Sequence, residues 1–242
     1  MDRLVYVLIP IIGLCVISLN VFVSDVSDPT ISHFVSFYSM LFGISSSIFA
    51  ISYIILPKER QNFPTVSQLL TVTITAYILL FIVTNVLTTV IKDVHYAIVP
   101  LATVKISKCR IFYVLPFFGH KIYIPLKVLI AIMIQFVVAF TESSIFHVIL
   151  PKIFFYYAPK GLNYPTAIIF PNLIFASLHY RSWNAVMAVN LWDVLFPCFI
   201  AGMVLTAVYL YFSEKGVPAG SGVIFAHMMY NLSVILHNVI VV

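Results

Sequence analysis

The chain is a series of apolar runs, each about 20 residues long, joined by short polar turns. An apolar helix of about 20 residues crosses the roughly 30 Å hydrocarbon core of a bilayer. Only 9% of the residues are charged, against roughly 25% in soluble domains. The sequence therefore predicts an all-α, multi-pass integral membrane bundle of about seven to eight helices, with residues 1–242 as one membrane domain. The predicted spans are Leu4–Val23, Phe34–Leu56, Val66–Ile91, Val128–Leu150, Tyr164–Tyr180, Leu191–Phe212 and Val223–Val242.

The stretch Lys92–Lys127 departs from this pattern. It holds six of the thirteen basic residues, and "CRIFYVLPFFGHKIYIP" predicts two short β-strands around a Phe-Gly turn. The apolar segment Tyr96–Val104 is too short to span as a helix, so the sequence leaves the helix count and the membrane orientation open. The net charge of +5 suits anionic lipid headgroups. Because the basic residues flank the spans, we expect the bilayer, and no nucleic acid, as their partner.

One acidic residue lies inside a span. Of the eight acidic residues, six lie in tails or loops and Asp193 stands near the start of its span, where an interfacial position is easy. Glu142, in "FTESSIFHVILP", is nine residues before Pro151. An ionisable group inside a membrane costs several kcal/mol unless it faces a partner or a wet cavity, and it is a functional-site candidate by default. The alternative is a structural hydrogen bond to another helix.

Three further polar residues lie on two other spans. "LIFASLHY" places His179 four residues after Phe175, and "GVIFAHMMYNL" places His227 and Asn231 on one face of the last helix. A single histidine on an apolar helix is usually a core residue, but four such groups need one another in hydrocarbon. We therefore expect them to converge with the glutamate. His147, five residues after the glutamate, is predicted to point elsewhere.

This set of side chains suits the hydrolysis of an amide by an activated water. A carboxylate shielded from water can act as a general base near neutral pH, with a histidine sharing its proton. A second imidazole and an amide can donate to an oxyanion. Glu142, His179 and His227 could instead hold a zinc ion, and spacing alone does not separate the two readings. No Gly-x-Ser-x-Gly or His-Glu-x-x-His motif is present.

These motifs resemble those of the CPBP intramembrane proteases, also called the ABI family, which include the type II CAAX-prenyl endopeptidases. The family carries Glu-Glu-x-x-x-Arg, Phe-x-x-x-His and His-x-x-x-Asn, in this order, on separate transmembrane helices. Here "ESSIFH", "FASLH" and "HMMYN" occupy those places, and the likeness covers residues 128–242.

The resemblance implies a role for each matched residue. Glu142 is the expected general base, His179 its partner on the water, and His227 and Asn231 the oxyanion donors. No cofactor is required, with zinc as an alternative. The expected substrate is a membrane-associated peptide or protein, lipidated or not, cut within or beside the bilayer.

The first motif departs from the family at two positions. Ser143 replaces the second glutamate and His147 replaces the arginine. We expect a hydrogen bond between these two side chains in place of an ion pair. An inactive immunity or scaffold protein on the same fold is therefore the second hypothesis. A proton-coupled transporter is the third, although the repeated halves typical of transporters are missing.

Overall fold

The computed structural model describes residues 43, 63–90, 112–117, 120–184 and 190–240. Within these residues it contains five helices and one β-hairpin. The predicted spans Leu4–Val23 and Phe34–Leu56 lie outside the described residues, apart from the single residue Gly43, and so does the segment Tyr96–Val104. The helical class is confirmed, and the total of seven to eight helices stays a prediction.

The hairpin is where the sequence predicted it. Strand β1, Phe112–Phe117, pairs antiparallel with β2, His120–Pro125, so that Phe112 lies opposite Pro125 and Phe117 opposite His120. The elements among the described residues are thus helical apart from this hairpin, which precedes the helix that carries Glu142.

The five helices follow the predicted apolar runs. Among the described residues, three stretches are long and apolar enough to cross a membrane: Val66–Leu87, Gln135–Tyr157 and Leu191–Glu214. The helices Asn163–Asn184 and Gly220–Ile240 match the runs Tyr164–Tyr180 and Val223–Val242, although they are not among those three. The elements are α1 (Val66–Val90), α2 (Leu126–Glu142), π1 (Ser143–Ile149), α3 (Leu150–Tyr157), α4 (Asn163–Asn184), α5 (Leu191–Glu214) and α6 (Gly220–Ile240).

The segments α2, π1 and α3 form one continuous helix whose middle is widened. Glu142 and Leu150, at the two junctions, both have right-handed helical backbone angles. Pro151 lies at the start of α3, and the ring of a proline clashes with the carbonyl four residues before it in a regular α-helix. A π-helix has hydrogen bonds from i to i+5 and relieves such a clash, so Pro151 gives a local reason for the widening.

The core lies where α1, α5 and α6 pack together. Val72 on α1 and Val223 on α6 are fully buried, and Leu205 on α5 is 2% exposed. Gly222 permits the close approach of α1 and α6, because a Cβ there would lie 2.6 Å from the Cβ of Val72. Only 22% of the span in α1 is buried, against 78% of Gln135–Tyr157. The helix that carries Glu142 is therefore the more buried of the two in the described bundle, and α1 contributes one face to the core.

Candidate active site

Glu142 lies between two imidazoles that come from two other helices. Its Oε1 is 3.4 Å from Nε2 of His179 on α4, and its Oε2 is 3.9 Å from Nε2 of His227 on α6. The glutamate is 2% exposed, and the two histidine side chains are 15% and 10% exposed. The structure thus brings together three of the four residues that the sequence assigned to the site.

His179 has its tautomer fixed by the main chain. Its Nδ1 lies 3.0 Å from the carbonyl oxygen of Phe175, one turn earlier on α4. A carbonyl only accepts hydrogen bonds, so Nδ1 carries the hydrogen and Nε2 of the neutral ring presents a lone pair to Glu142. The ring of Phe175 also packs on His179, with centroids 4.2 Å apart. The Phe-x-x-x-His motif therefore has a physical function, since both the backbone and the ring of its phenylalanine orient the histidine.

His227 is held by the residue that follows Glu142 in sequence. Its Nδ1 lies 2.9 Å from Oγ of Ser143, and both side chains are buried. The two nitrogens of this ring therefore face different partners, a hydroxyl on one side and a carboxylate on the other.

Asn231 lies one turn beyond His227 on α6 and is tied to α2. Its Nδ2 donates to Oε1 of Gln135 at 3.1 Å. Sequence reasoning missed Gln135, although it is the only polar residue between Val128 and Phe140. It also lies seven residues before Glu142, and two helical turns return a side chain to nearly the same face. An amide nitrogen has two hydrogens, so Asn231 keeps a second one to donate.

The two predictions about His147 are wrong. The side chain is fully buried among the site residues, with its ring centroid 4.8 Å from that of Phe175 and 6.0 Å from that of His227. The reason is the π-helix, whose hydrogen bonds span five residues and whose wider turn brings His147 closer to the face of Glu142 than an α-helix would. Nor does it bond to Ser143, because its Nδ1 lies 3.3 Å from Oγ1 of Thr206 on α5.

A second polar group, also missed from the sequence, lies behind this histidine. Asn172 on α4 is fully buried and donates to Oγ1 of Thr206 at 3.0 Å. Gly202 on α5 makes room for the group, because a Cβ there would lie 3.1 Å from Cε1 of His147 and would collide with Oδ1 of Asn172. The helical fold thus extends the site into a buried polar layer between π1, α4 and α5.

Asp193 and a zinc site are the remaining candidates from the sequence. Asp193, predicted to be interfacial, lies in the first turn of α5 and accepts a hydrogen bond from Asn190 at 2.9 Å. Among the described residues, no group of three or more His, Cys, Asp or Glu side chains is arranged to hold a metal ion. The zinc set of Glu142, His179 and His227 stays a prediction.

Fold and site together define a helical membrane protein with a buried carboxylate flanked by two imidazoles. Residues 124–233 match the family model described as "Type II CAAX prenyl endopeptidase Rce1-like". This match confirms the resemblance of the three motifs to the CPBP intramembrane proteases, a membrane-embedded family. The matched segment contains all four predicted site residues. No curated protein and no solved structure gave a match.

Proposed function

We propose that the protein is an intramembrane endopeptidase that hydrolyses a peptide bond in or beside the bilayer with a glutamate-activated water. The observation that carries the proposal is the buried Glu142 carboxylate with imidazole nitrogens 3.4 and 3.9 Å from its two oxygens. A carboxylate placed inside a spanning helix at a cost of several kcal/mol needs such partners. The match of residues 124–233 to a family model of CAAX endopeptidases supports peptide hydrolysis as the reaction at this site.

Glu142 and His179 form the basic half of the site. Oε1 of the carboxylate and the bare Nε2 of the imidazole are both acceptors, so the contact between them is stable only with a hydrogen in between. That hydrogen is either a shared proton or one from a water bonded to the pair. Glu142 takes a proton from the water as its oxygen attacks the carbonyl carbon, and Nε2 of His179 shares that proton.

His227 and Asn231 form the donating half. As the tetrahedral intermediate develops, its oxyanion accepts hydrogen bonds from Nε2 of His227 and from the free N–H of Asn231. The carbon–nitrogen bond then breaks, and Glu142 returns its proton to the leaving amine. The carboxylate is restored, and the products are a free acid and a free amine.

The experiment uses the full chain, purified and reconstituted in liposomes, with a farnesylated Cys-a-a-X peptide as the probe. We expect mass spectrometry to find the released C-terminal tripeptide, with a faster rate for the farnesylated than for the unmodified peptide. The farnesyl group should hold the peptide at the bilayer, where the site lies. Equal cleavage rates for the two peptides would support the protease function and would contradict a preference for lipidated substrates. Intact peptides, with a folded protein, would favour the immunity or scaffold hypothesis, which the degenerate first motif also suggests.

We also propose that the reaction needs no metal. Zinc requires three protein ligands at about 2.0–2.2 Å and an open fourth position. We expect elemental analysis of the active protein to find less than stoichiometric zinc, and dialysis against a chelator to leave the cleavage rate unchanged. Stoichiometric zinc that is lost together with activity would replace the water mechanism with a zinc site at Glu142, His179 and His227.

A further inference from the structure

Ser143 stands where the family has a second glutamate, and its surroundings give it a different task. It is fully buried, and its Oγ lies 2.9 Å from Nδ1 of His227. The neighbouring serine, Ser144, is buried as well, but its hydroxyl has no hydrogen-bond partner. Of two adjacent buried serines in one π-helix, Ser143 is the one that bonds to the site histidine.

The direction of that bond follows from the other side of the ring. Nε2 of His227 faces Oε2 of Glu142 at 3.9 Å, which is too long for a direct hydrogen bond, but an N–H on Nε2 would point its positive end at the carboxylate. The favourable tautomer has its hydrogen on Nε2, which leaves Nδ1 bare. The Ser143 hydroxyl must then donate to Nδ1.

We propose that Ser143 is a positioning residue that keeps the hydrogen of His227 on Nε2 and so makes this histidine a donor to the carbonyl oxygen of the scissile bond. The proposal rests on the proposed function for its catalytic consequence. The tautomer itself is independent of any reaction.

The two site histidines then have opposite tautomers for local reasons. In His179 the carbonyl of Phe175 draws the hydrogen to Nδ1, at 3.0 Å. In His227 the Glu142 carboxylate favours the hydrogen on Nε2, and the hydroxyl of Ser143 stabilises that tautomer by donating to Nδ1. Glu142 is thereby flanked by one acceptor and one donor, which is the asymmetry that a base and an oxyanion donor require. A neutral serine donates this hydrogen bond and needs no cation beside it. The absence of the family's glutamate at Ser143 is therefore consistent with the absence of its arginine at His147.

The kinetic test compares three variants of the reconstituted full chain on the farnesylated Cys-a-a-X peptide. We expect Ser143→Ala to lower kcat about 10-fold or more, short of the 10²–10³-fold that follows loss of a whole oxyanion donor, with KM within about twofold. Ser143→Thr keeps the hydroxyl and should recover most of kcat. Ser144→Ala is the matched control and should behave as the parent. A kcat for Ser143→Ala equal to that of the parent would overturn the proposal.

The spectroscopic test needs no substrate. Nitrogen-15 NMR of the histidine-labelled protein separates N–H from bare ring nitrogens, and a His227→Gln variant assigns the signals. We expect the parent to show His227 with the hydrogen on Nε2, and Ser143→Ala to show a mixture of tautomers, with Ser144→Ala unchanged. A parent with the hydrogen on Nδ1 contradicts the proposal whether or not the protein cleaves peptides. The expected tautomers without any cleavage would instead refute only the proposed function.

A fluorophosphonate probe tests whether Ser143 is a nucleophile. Ser143 could be a nucleophile, because its hydroxyl bonds a histidine that faces a glutamate. We expect no covalent label at Ser143. A label there, formed as activity is lost, would make Ser143 the attacking group and would overturn the positioning role.

Discussion

Glu142 shows how one residue can organise a membrane site. Its neighbours along the helix are apolar or small, and it is 2% exposed, so its charge has to be matched by groups from other helices. The structure supplies an imidazole for each carboxylate oxygen, from α4 and from α6. The sequence made Glu142, His179 and His227 predictable because each is an ionisable group in an apolar run.

The residues that sequence reasoning missed are of another kind. Gln135, Asn172 and Thr206 are uncharged, and uncharged polar side chains in membrane helices often bond to their own backbone. Asn172, for example, donates to the carbonyl of Ile168 at 2.6 Å as well as to Thr206. Nothing in a single sequence tells which of these side chains also reaches a neighbouring helix.

His147 provides a prediction at this scale. The ring is fully buried, and Nε2 has no hydrogen-bond partner, so only Nδ1 and the ring contacts contribute to folding. His147→Ala should lower the free energy of unfolding by about 2–5 kcal/mol, as for other large-to-small core changes. His147→Phe keeps the ring and removes an unpaired buried nitrogen, so we expect a much smaller loss. Thermal unfolding of the purified variants measures both.

His147→Phe also tests whether His147 has taken over the role of the family's arginine. It bonds to Thr206 rather than to Ser143, so we expect His147→Phe to cleave the farnesylated peptide within a few-fold of the parent rate. A folded His147→Phe protein without cleavage would show that the imidazole acts on the reacting groups.

At the scale of elements, the π-helix explains the wrong prediction for this histidine. Sequence periodicity assumes 3.6 residues per turn, and on that assumption residue 147 diverges from residue 142. The seven residues Ser143–Ile149 follow the wider repeat instead. Pro151 is a local reason for the wider repeat, but α4 and α5 hold Pro171 and Pro197 and are α-helical throughout. Helix existence was therefore predictable from hydropathy, whereas a proline alone did not predict the π-helix.

The contact between α1 and α6 gives a prediction for helix packing. A methyl group on Gly222 would lie 2.6 Å from Cβ and Cγ1 of Val72, and Thr73 also donates to the carbonyl of Gly222 at 3.3 Å. Gly222→Ala should therefore lower the free energy of unfolding by about 1–3 kcal/mol, the usual cost of overpacking. Thermal unfolding in detergent measures the change.

The control for this prediction is Ser177→Ala, on the exposed side of α4. Its hydroxyl bonds only to the carbonyl of Leu173, and surface changes of this kind usually stay within about 0.5 kcal/mol. Equal stability of Gly222→Ala and the parent would mean that α1 and α6 do not approach as closely as the structure has them.

For the whole molecule, α5 indicates how the site lies in the bilayer. Trp192 near its start is 69% exposed, and Tyr211 near its end is 54% exposed and packs under the Nζ of Lys215 at 4.0 Å. The two aromatic residues are about 28 Å apart at 1.5 Å per residue, close to the thickness of the hydrocarbon core. Aromatic residues favour both membrane interfaces. Gly202, which contacts the buried polar layer, lies midway between them, so we expect this layer to lie at membrane depth.

At this scale the structure confirms the helical class that the sequence predicted, and it adds the packing of the helices, which the sequence did not predict. Apolar runs predicted the helical bundle, the Phe-Gly turn predicted the hairpin, and the motifs predicted a likeness over residues 128–242 that the family match places at 124–233. Hydropathy does not determine how helices pack, so the polar layer around Asn172 and Thr206 required the structure. The order of motifs along the chain was informative because each motif lies on its own helix.

The most direct measurement is the rate at which the Glu142→Gln variant cleaves the farnesylated peptide in liposomes. Glutamine keeps the size of the side chain and removes its basic oxygen, so the protein should insert and fold as the parent does. The account predicts a cleavage rate at least about 10²-fold lower, the loss expected for a general base. A folded Glu142→Gln protein that cleaves at the parent rate would contradict the assignment of Glu142 as the base that activates water.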